Sequence, residues 1–83
     1  MSISAVEMDD RVAGVSVSDD ALEVRLRDGR RVSAPLAWFP RLAAASAEDR
    51  AIWETSAAGY GVHWPRIDED LSVAGLLRPA GGS

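Results

Sequence analysis

The chain has 83 residues, no cysteine and no lysine, and its 13 acidic side chains against 9 arginines leave a formal charge of −4. That length holds one domain around one core, with little room for a large internal substrate cavity. The missing cysteines exclude disulfides, thiolate metal sites and cysteine nucleophiles, and the acidic balance argues against a phosphate-binding groove.

The first residues, Met1-Ser2-Ile3-Ser4-Ala5-Val6-Glu7, have neither a basic region nor a long apolar run. They do not read as a secretory signal, and no stretch approaches the ~20 apolar residues of a membrane span. Cytoplasmic placement without membrane contact is the expectation. One compact α+β domain is expected over 1–78, with a disordered tail at 79–83.

A short strand is expected around Ile3–Met8. From Val12 the pattern becomes two-fold, with Ala13, Val15 and Val17 alternating with Gly14, Ser16 and Ser18. That is the pattern of a half-buried strand. Asp19-Asp20 marks a turn. Leu22, Val24 and Leu26 then alternate with Glu23, Arg25 and Arg27, and Val32 and Ala34 with Arg31 and Ser33.

The connection at Arg27-Asp28-Gly29-Arg30 defines a register. A two-residue Asp-Gly loop would set Leu26 against Arg31 and Arg25 against Val32. Directly opposed residues share a face, so both faces would then mix apolar with charged side chains. A three-residue loop of Arg27, Asp28 and Gly29 pairs Val24 with Val32 and Leu22 with Ala34, which keeps one face apolar. It also puts Gly29 at the left-handed position of a bulged type I turn. The sequence therefore predicts a bulged hairpin over 21–34 in a small antiparallel sheet.

Pro35 removes a backbone donor and should end that strand or leave it on an edge. Leu36–Leu42 is an aromatic segment with Pro40 inside it, too short and irregular for a long helix, and is expected to cross beneath the sheet. Ser46-Ala47-Glu48-Asp49 is a capping signature that starts a two-turn helix at about 47–54. Thr55–Ala58 reads as a strand, Gly59-Tyr60-Gly61 as a turn or bulge, and Val62-His63-Trp64 as extended before Pro65. Ser72 can cap a short C-terminal helix at about 73–77.

His63 is the sole histidine. No Gly-x-Ser-x-Gly elbow accompanies it, so a packing or hydrogen-bonding role is expected rather than catalysis. Asp68-Glu69-Asp70 is the densest acidic cluster. With His63 it offers oxygen and nitrogen donors to a divalent ion, but the spacing matches no established metal loop. The plainer reading has Asp68 and Asp70 tying down turn amides, with Glu69 in solvent. A further option is a negative patch beside Trp64 and Tyr60, suited to an arginine-rich partner. Of Trp38, Trp53 and Trp64, at least two are expected in the core, and if one is exposed it is expected to be Trp64. Arg25, Arg27, Arg30 and Arg31 gather at the hairpin, diluted by Glu23 and Asp28.

Three segments carry a resemblance. Asp28-Gly29-Arg30, Pro35 through Leu42, and His63 through Val73 resemble the bacterial domain family of unknown function DUF2442, as do Ala45–Arg50 and Trp53 between them. The resemblance spans about residues 12–77 and implies a compact α+β fold. It also implies likeness to the N-terminal domain of a bacterial protein that continues into a helix-turn-helix domain. Other members look like stand-alone proteins encoded beside a second small protein, which suggests toxin–antitoxin pairing. No catalytic residues transfer. Because this sequence ends soon after Leu77, DNA binding by an attached helix-turn-helix domain is not expected.

The expectation is thus a non-enzymatic protein-interaction module without a cofactor, antitoxin-like, paired with a small basic protein encoded nearby or with itself as a homodimer. Its interaction residues are expected among Trp38, Tyr60, His63, Trp64, Asp68, Glu69 and Asp70. One alternative is a DNA-associated regulatory accessory domain touching backbone through the four hairpin arginines. Another is a small metal-dependent enzyme using His63 with Asp68 and Asp70.

Overall fold

The computed structural model describes residues 8–78. The strand expected around Ile3–Met8 therefore falls almost wholly outside the described residues, as does the tail at 79–83. What is described is α+β, with two three-stranded antiparallel sheets and three short helices.

The first sheet has the order β1-β2-β3, formed by β1 (Val12–Val17), β2 (Ala21–Leu26) and β3 (Arg31–Pro35). Val24 pairs with Val32 and Leu22 with Ala34, the register of the three-residue loop. The Leu26 amide donates to the Arg30 carbonyl at 2.8 Å, and Gly29 has φ +98°. A side chain is disfavoured at that angle, although no neighbour would clash with it.

β1 departs from simple alternation. Val12 pairs with Leu26 but Gly14 with Arg25, so Ala13 is an extra residue in a bulge. The bulge turns Val12 into the core at 3% exposure and leaves Ala13 outside, which corrects the expected placement of Ala13 on the apolar face. Gly14 is buried because the Arg25 guanidinium lies across it, where an added Cβ would fall 2.0 Å from Nη2.

Pro35 ends β3, and a single 3₁₀ turn at Leu36–Trp38 leads into helix α1 (Pro40–Ala44). Proline at the first helical position has no amide to leave unsatisfied, which lets this aromatic stretch form a helix the sequence pattern did not show. Helix α2 (Ala47–Ala51) starts where expected, with the Ser46 hydroxyl accepting from the Asp49 amide at 3.1 Å. It stops at Ala51, short of the expected 54. Ile52 is already extended, and Glu54 and Thr55 pair into the second sheet. A two-turn helix is marginal by itself, so ladder bonds and β-branched residues outweigh its propensity.

The second sheet has the order β4-β5-β6, built from β4 (Glu54–Ser56), β5 (Gly61–Trp64) and β6 (Glu69–Ser72). Ala57 and Ala58 take left-handed backbone angles in the loop after β4, so the strand expected to reach Ala58 ends at Ser56. The stretch Glu69–Ser72 was expected to be turn and cap, yet Leu71 pairs with Val62 and Asp70 with His63. Ser72 still caps helix α3 (Val73–Leu77), accepting from the Gly75 amide at 3.0 Å.

The two central strands supply most of the core. Leu22, Val24 and Leu26 of β2 meet Val62 and Trp64 of β5, with Leu36, Leu42, Val12 and Val73 closing the cluster. Trp64, with no exposed surface, is the largest fully buried side chain. Its indole Nε1–H donates to the Arg50 carbonyl at 3.0 Å.

Two stability predictions follow from this packing. Trp64→Phe keeps most of the ring volume but leaves the Arg50 carbonyl unpaired, and urea unfolding should show a loss of about 1–3 kcal/mol. Trp64→Ala should cost roughly 3–5 kcal/mol, enough to erase the cooperative transition of so small a domain. Gly29→Ala, by contrast, should cost about 1–2 kcal/mol through backbone angle alone, with an unchanged circular dichroism spectrum.

Candidate interaction surface

The residues singled out from sequence do not form one cluster. Trp64 was the tryptophan expected outside if one was, and it lies innermost. Trp38 is the exposed one, at 54%. Burial follows from strand pairing: β5 is central and Val62 and Trp64 share its inward face, whereas Trp38 ends a 3₁₀ turn at the margin. Tyr60 is half exposed at the other end of the first sheet. The adjacent Gly59 packs on the Arg11 side chain, and the Arg11 carbonyl accepts from Arg27 beside the hairpin loop. Trp38 instead follows Leu36, whose amide donates to Asp20 at the opposite turn. The length of β2 separates them.

His63 sits on the outward face of the second sheet, directly opposite Asp70 on one side and Glu54 on the other. Its Nδ1 lies 3.0 Å from Asp70 Oδ1. A carboxylate only accepts, so Nδ1 is the donor in this contact. Asp70 is thus engaged by His63 rather than by turn amides. Asp68 also departs from its expected role: its side chain is 92% exposed, its φ is +58°, and it is its backbone carbonyl that accepts from Arg41 at 2.8 Å. Glu69 opposes Trp64 and is partly buried. Among the described residues, no group of three or more His, Asp or Glu side chains converges on a point where a metal ion would sit.

Two of the four hairpin arginines, Arg25 and Arg30, are engaged within the chain, while Arg27 and Arg31 are exposed. The Asp28 carboxylate, only 2% exposed, accepts from the amides of Asp9 and Arg30 and from the Arg30 guanidinium at 2.8–3.0 Å. Arg30 also pairs with Asp10, and Arg11 with Asp9 at 2.8 Å. Arg25 donates to Ser16 Oγ at 3.1 Å while covering Gly14. The ion pairs of Arg30 and Arg11 offset part of the positive charge at this end of the sheet. The Arg30 and amide hydrogen bonds hold the Asp28 carboxyl far below its ordinary value of 3.8. The Arg11 side-chain and backbone bonds lower Asp9 to about 2.

A different surface lies along β1, which is an edge strand with β2 as its sole partner among the described residues. The Ser18 amide donates to the Ala21 carbonyl at 2.9 Å, closing the Asp19-Asp20 turn. Bonded and non-bonded pairs alternate in an antiparallel ladder. The Val17–Leu22 and Val15–Val24 pairs are therefore non-bonded, and the N–H and C=O groups of Val15 and Val17 point away from the sheet.

Helix α2 packs alongside this edge and leaves a depression of about 310 Å³ lined by Val15, Ser16, Val17, Ala47, Ala51 and Trp53, with Arg50. Arg50 is the one cation in that lining, and its donors are taken by the Leu42 carbonyl (2.8 Å), the Ala43 carbonyl (2.9 Å) and Asp19 (3.2 Å). Asp19, Asp20, Glu48 and Glu54, all exposed, flank the lining residues in sequence. Sequence reasoning missed this surface. The available signals were the small alanines of α2 and an uncharged β1 followed by two aspartates.

The profile described as "Protein of unknown function (DUF2442)" matches residues 12–82. No curated protein matches the chain. A crystal structure of a protein of unknown function from Rhodospirillum rubrum is similar, with 29% identity and a TM-score of 0.66. The alignment covers 88% of this chain and 96% of that one. Among the described residues, no helix is long and apolar enough to cross a membrane.

The carboxylates at the hairpin set an acid limit on the fold. A group held below its ordinary value stabilises the folded chain at every pH above that value, and the contribution vanishes as pH falls toward the folded one. Urea midpoints should therefore hold steady down to about pH 4 and fall between there and about pH 2, the value to which Asp9 is lowered. Asp28→Asn should lower stability at neutral pH and flatten that acid decline.

Proposed function

The chain belongs to the DUF2442 family, and on that footing we propose that it is a non-enzymatic protein-interaction domain, the antitoxin-like half of a two-gene pair. Its partner is a small basic protein, and the pair resides in the cytoplasm. The observation that carries this reading is the β1 edge, unpaired on one side among the described residues, with its depression of mixed apolar and polar lining and the neighbouring acids, on a chain of charge −4. Protein partners recognise such surfaces through main-chain pairing, apolar contact and opposite charge together. Exposed Trp38 and Tyr60 offer further aromatic contact area at the two ends of the first sheet.

The net charge of −4 and the pairing of Arg30 with Asp28 and Asp10 weigh against a phosphate-backbone role. His63 and Asp70 stand on a sheet face beside Glu54, with the Asp70 side chain 70% exposed, which favours binding over catalysis. Pairing of two copies is the competing assembly, and it would set two acidic chains against each other.

The test is a tagged pull-down from the native host after nuclease treatment, with intact complexes weighed by mass spectrometry. A small basic protein in stoichiometric amount is the expected result. Recovery of the bare chain or its homo-oligomer, with the neighbouring gene verifiably expressed, would overturn the reading.

A further inference from the structure

We infer that β1 takes up an extended, basic segment of the partner as an additional strand of the first sheet. This rests on the interaction reading above and assigns its site. The outward N–H and C=O groups of Val15 and Val17 give main-chain hydrogen bonds to whatever strand lies beside them.

The depression lies along the same edge, so the two features are parts of one surface. In an added strand, alternate side chains point to one face. One set, apolar and of modest size, fills the space over Val15, Val17, Ala51 and Trp53. The intervening set and the segment's ends carry the positive charge, complementary to Asp19, which meets the lining residue Arg50, and to the exposed Asp20 and Glu48 next to it and in α2.

Charge selects this occupant over a second copy. β1 of a neighbouring molecule, Val12–Val17, carries no charge of its own and arrives with another Asp19-Asp20 turn attached. A lysine- or arginine-bearing strand offers the same backbone and removes the repulsion. Arg50 is already paired with Asp19, and among the described residues Asp20 and Glu48 have no ion-pair partner, so they carry the charge that attracts the segment.

The backbone itself supplies the discriminating variant. Proline is tolerated on an edge strand where its missing N–H would face solvent. Val17→Pro therefore removes one outward donor while sparing the ladder to β2. Ala51→Arg is a second variant at an exposed helix position, filling the depression with a long cationic side chain without touching the core.

The probe is a fluorescein-labelled peptide of about nine residues, a common strand length, alternating valine and arginine. Anisotropy would measure binding, and amide chemical shifts would report its location. Binding by the full chain is expected, with the largest shifts at Val15 and Val17, and none by a valine–glutamate peptide. Val17→Pro and Ala51→Arg should each weaken binding at least about tenfold, the loss of a main-chain bond or of the apolar contact.

Several outcomes would sink the proposal: no binding, equal binding by the folded Val17→Pro or Ala51→Arg chain, or shifts confined to another surface. Should Val17→Pro fail to fold, Ala51→Arg decides. Failure of the interaction reading is separate, visible as the absence of a basic partner in the pull-down. A partner still captured by both variants would overturn the β1 site alone.

Discussion

The fold hangs on one hydrogen bond and the residue that provides it. Trp64 is wholly enclosed, so its indole N–H needs an acceptor inside the protein. It finds the carbonyl of Arg50, near the end of a five-residue helix where the last carbonyls lack helical partners. The side chain of the same arginine serves the Leu42 and Ala43 carbonyls ending α1, then reaches Asp19 in the first turn. Two helices, a β-turn and the central strand of the second sheet thus meet at Arg50. Helices this short contain few internal hydrogen bonds, and fixed donors from elsewhere take the place of length.

The distribution of charge matters more than its sum. At the hairpin end, acids and arginines consume each other: Asp28 is buried under Arg30, and Arg11 grips Asp9. At the other end Asp20 and Glu48 stay exposed, and Asp19 meets Arg50 with its carboxylate still 98% open to solvent. Part of the positive charge of the hairpin is thus paired internally, and an acidic margin stands near the β1 edge. Short-range pairing has separated a stabilising cluster from a surface that remains available for long-range attraction.

Small sheets leave edges, and this fold treats them unequally. β3 ends in proline, and α3 lies near it. β1 is bent by the Ala13 bulge at its start, a common means of spoiling unwanted pairing, but its second half runs straight to Val17. The half left regular is the half beside the depression. Protection and availability divide within a single strand.

Much of this was legible beforehand. The bulged hairpin followed from keeping Leu22, Val24, Val32 and Ala34 on one face, and Gly29 could supply the positive φ that loop requires. Ser46 and Ser72 announced their helices because capping is a local interaction between residues three apart. Family membership was legible too, from motifs that persist in sequence. The rest depended on partners distant in the chain. Val12-Ala13-Gly14-Val15 has small or apolar residues in both phases, so only pairing with β2 could place the bulge. Asp68-Glu69-Asp70 looked like turn acids until β5 recruited the last two into a strand. Trp64 looked exposed beside Pro65, yet central-strand pairing and the Arg50 carbonyl drew it into the core. Periodicity and caps are written by neighbours, so sequence alone determined them. Which edge is unpaired among the described residues, and which tryptophan is buried, is set by elements meeting across the fold, and only tertiary structure decides it.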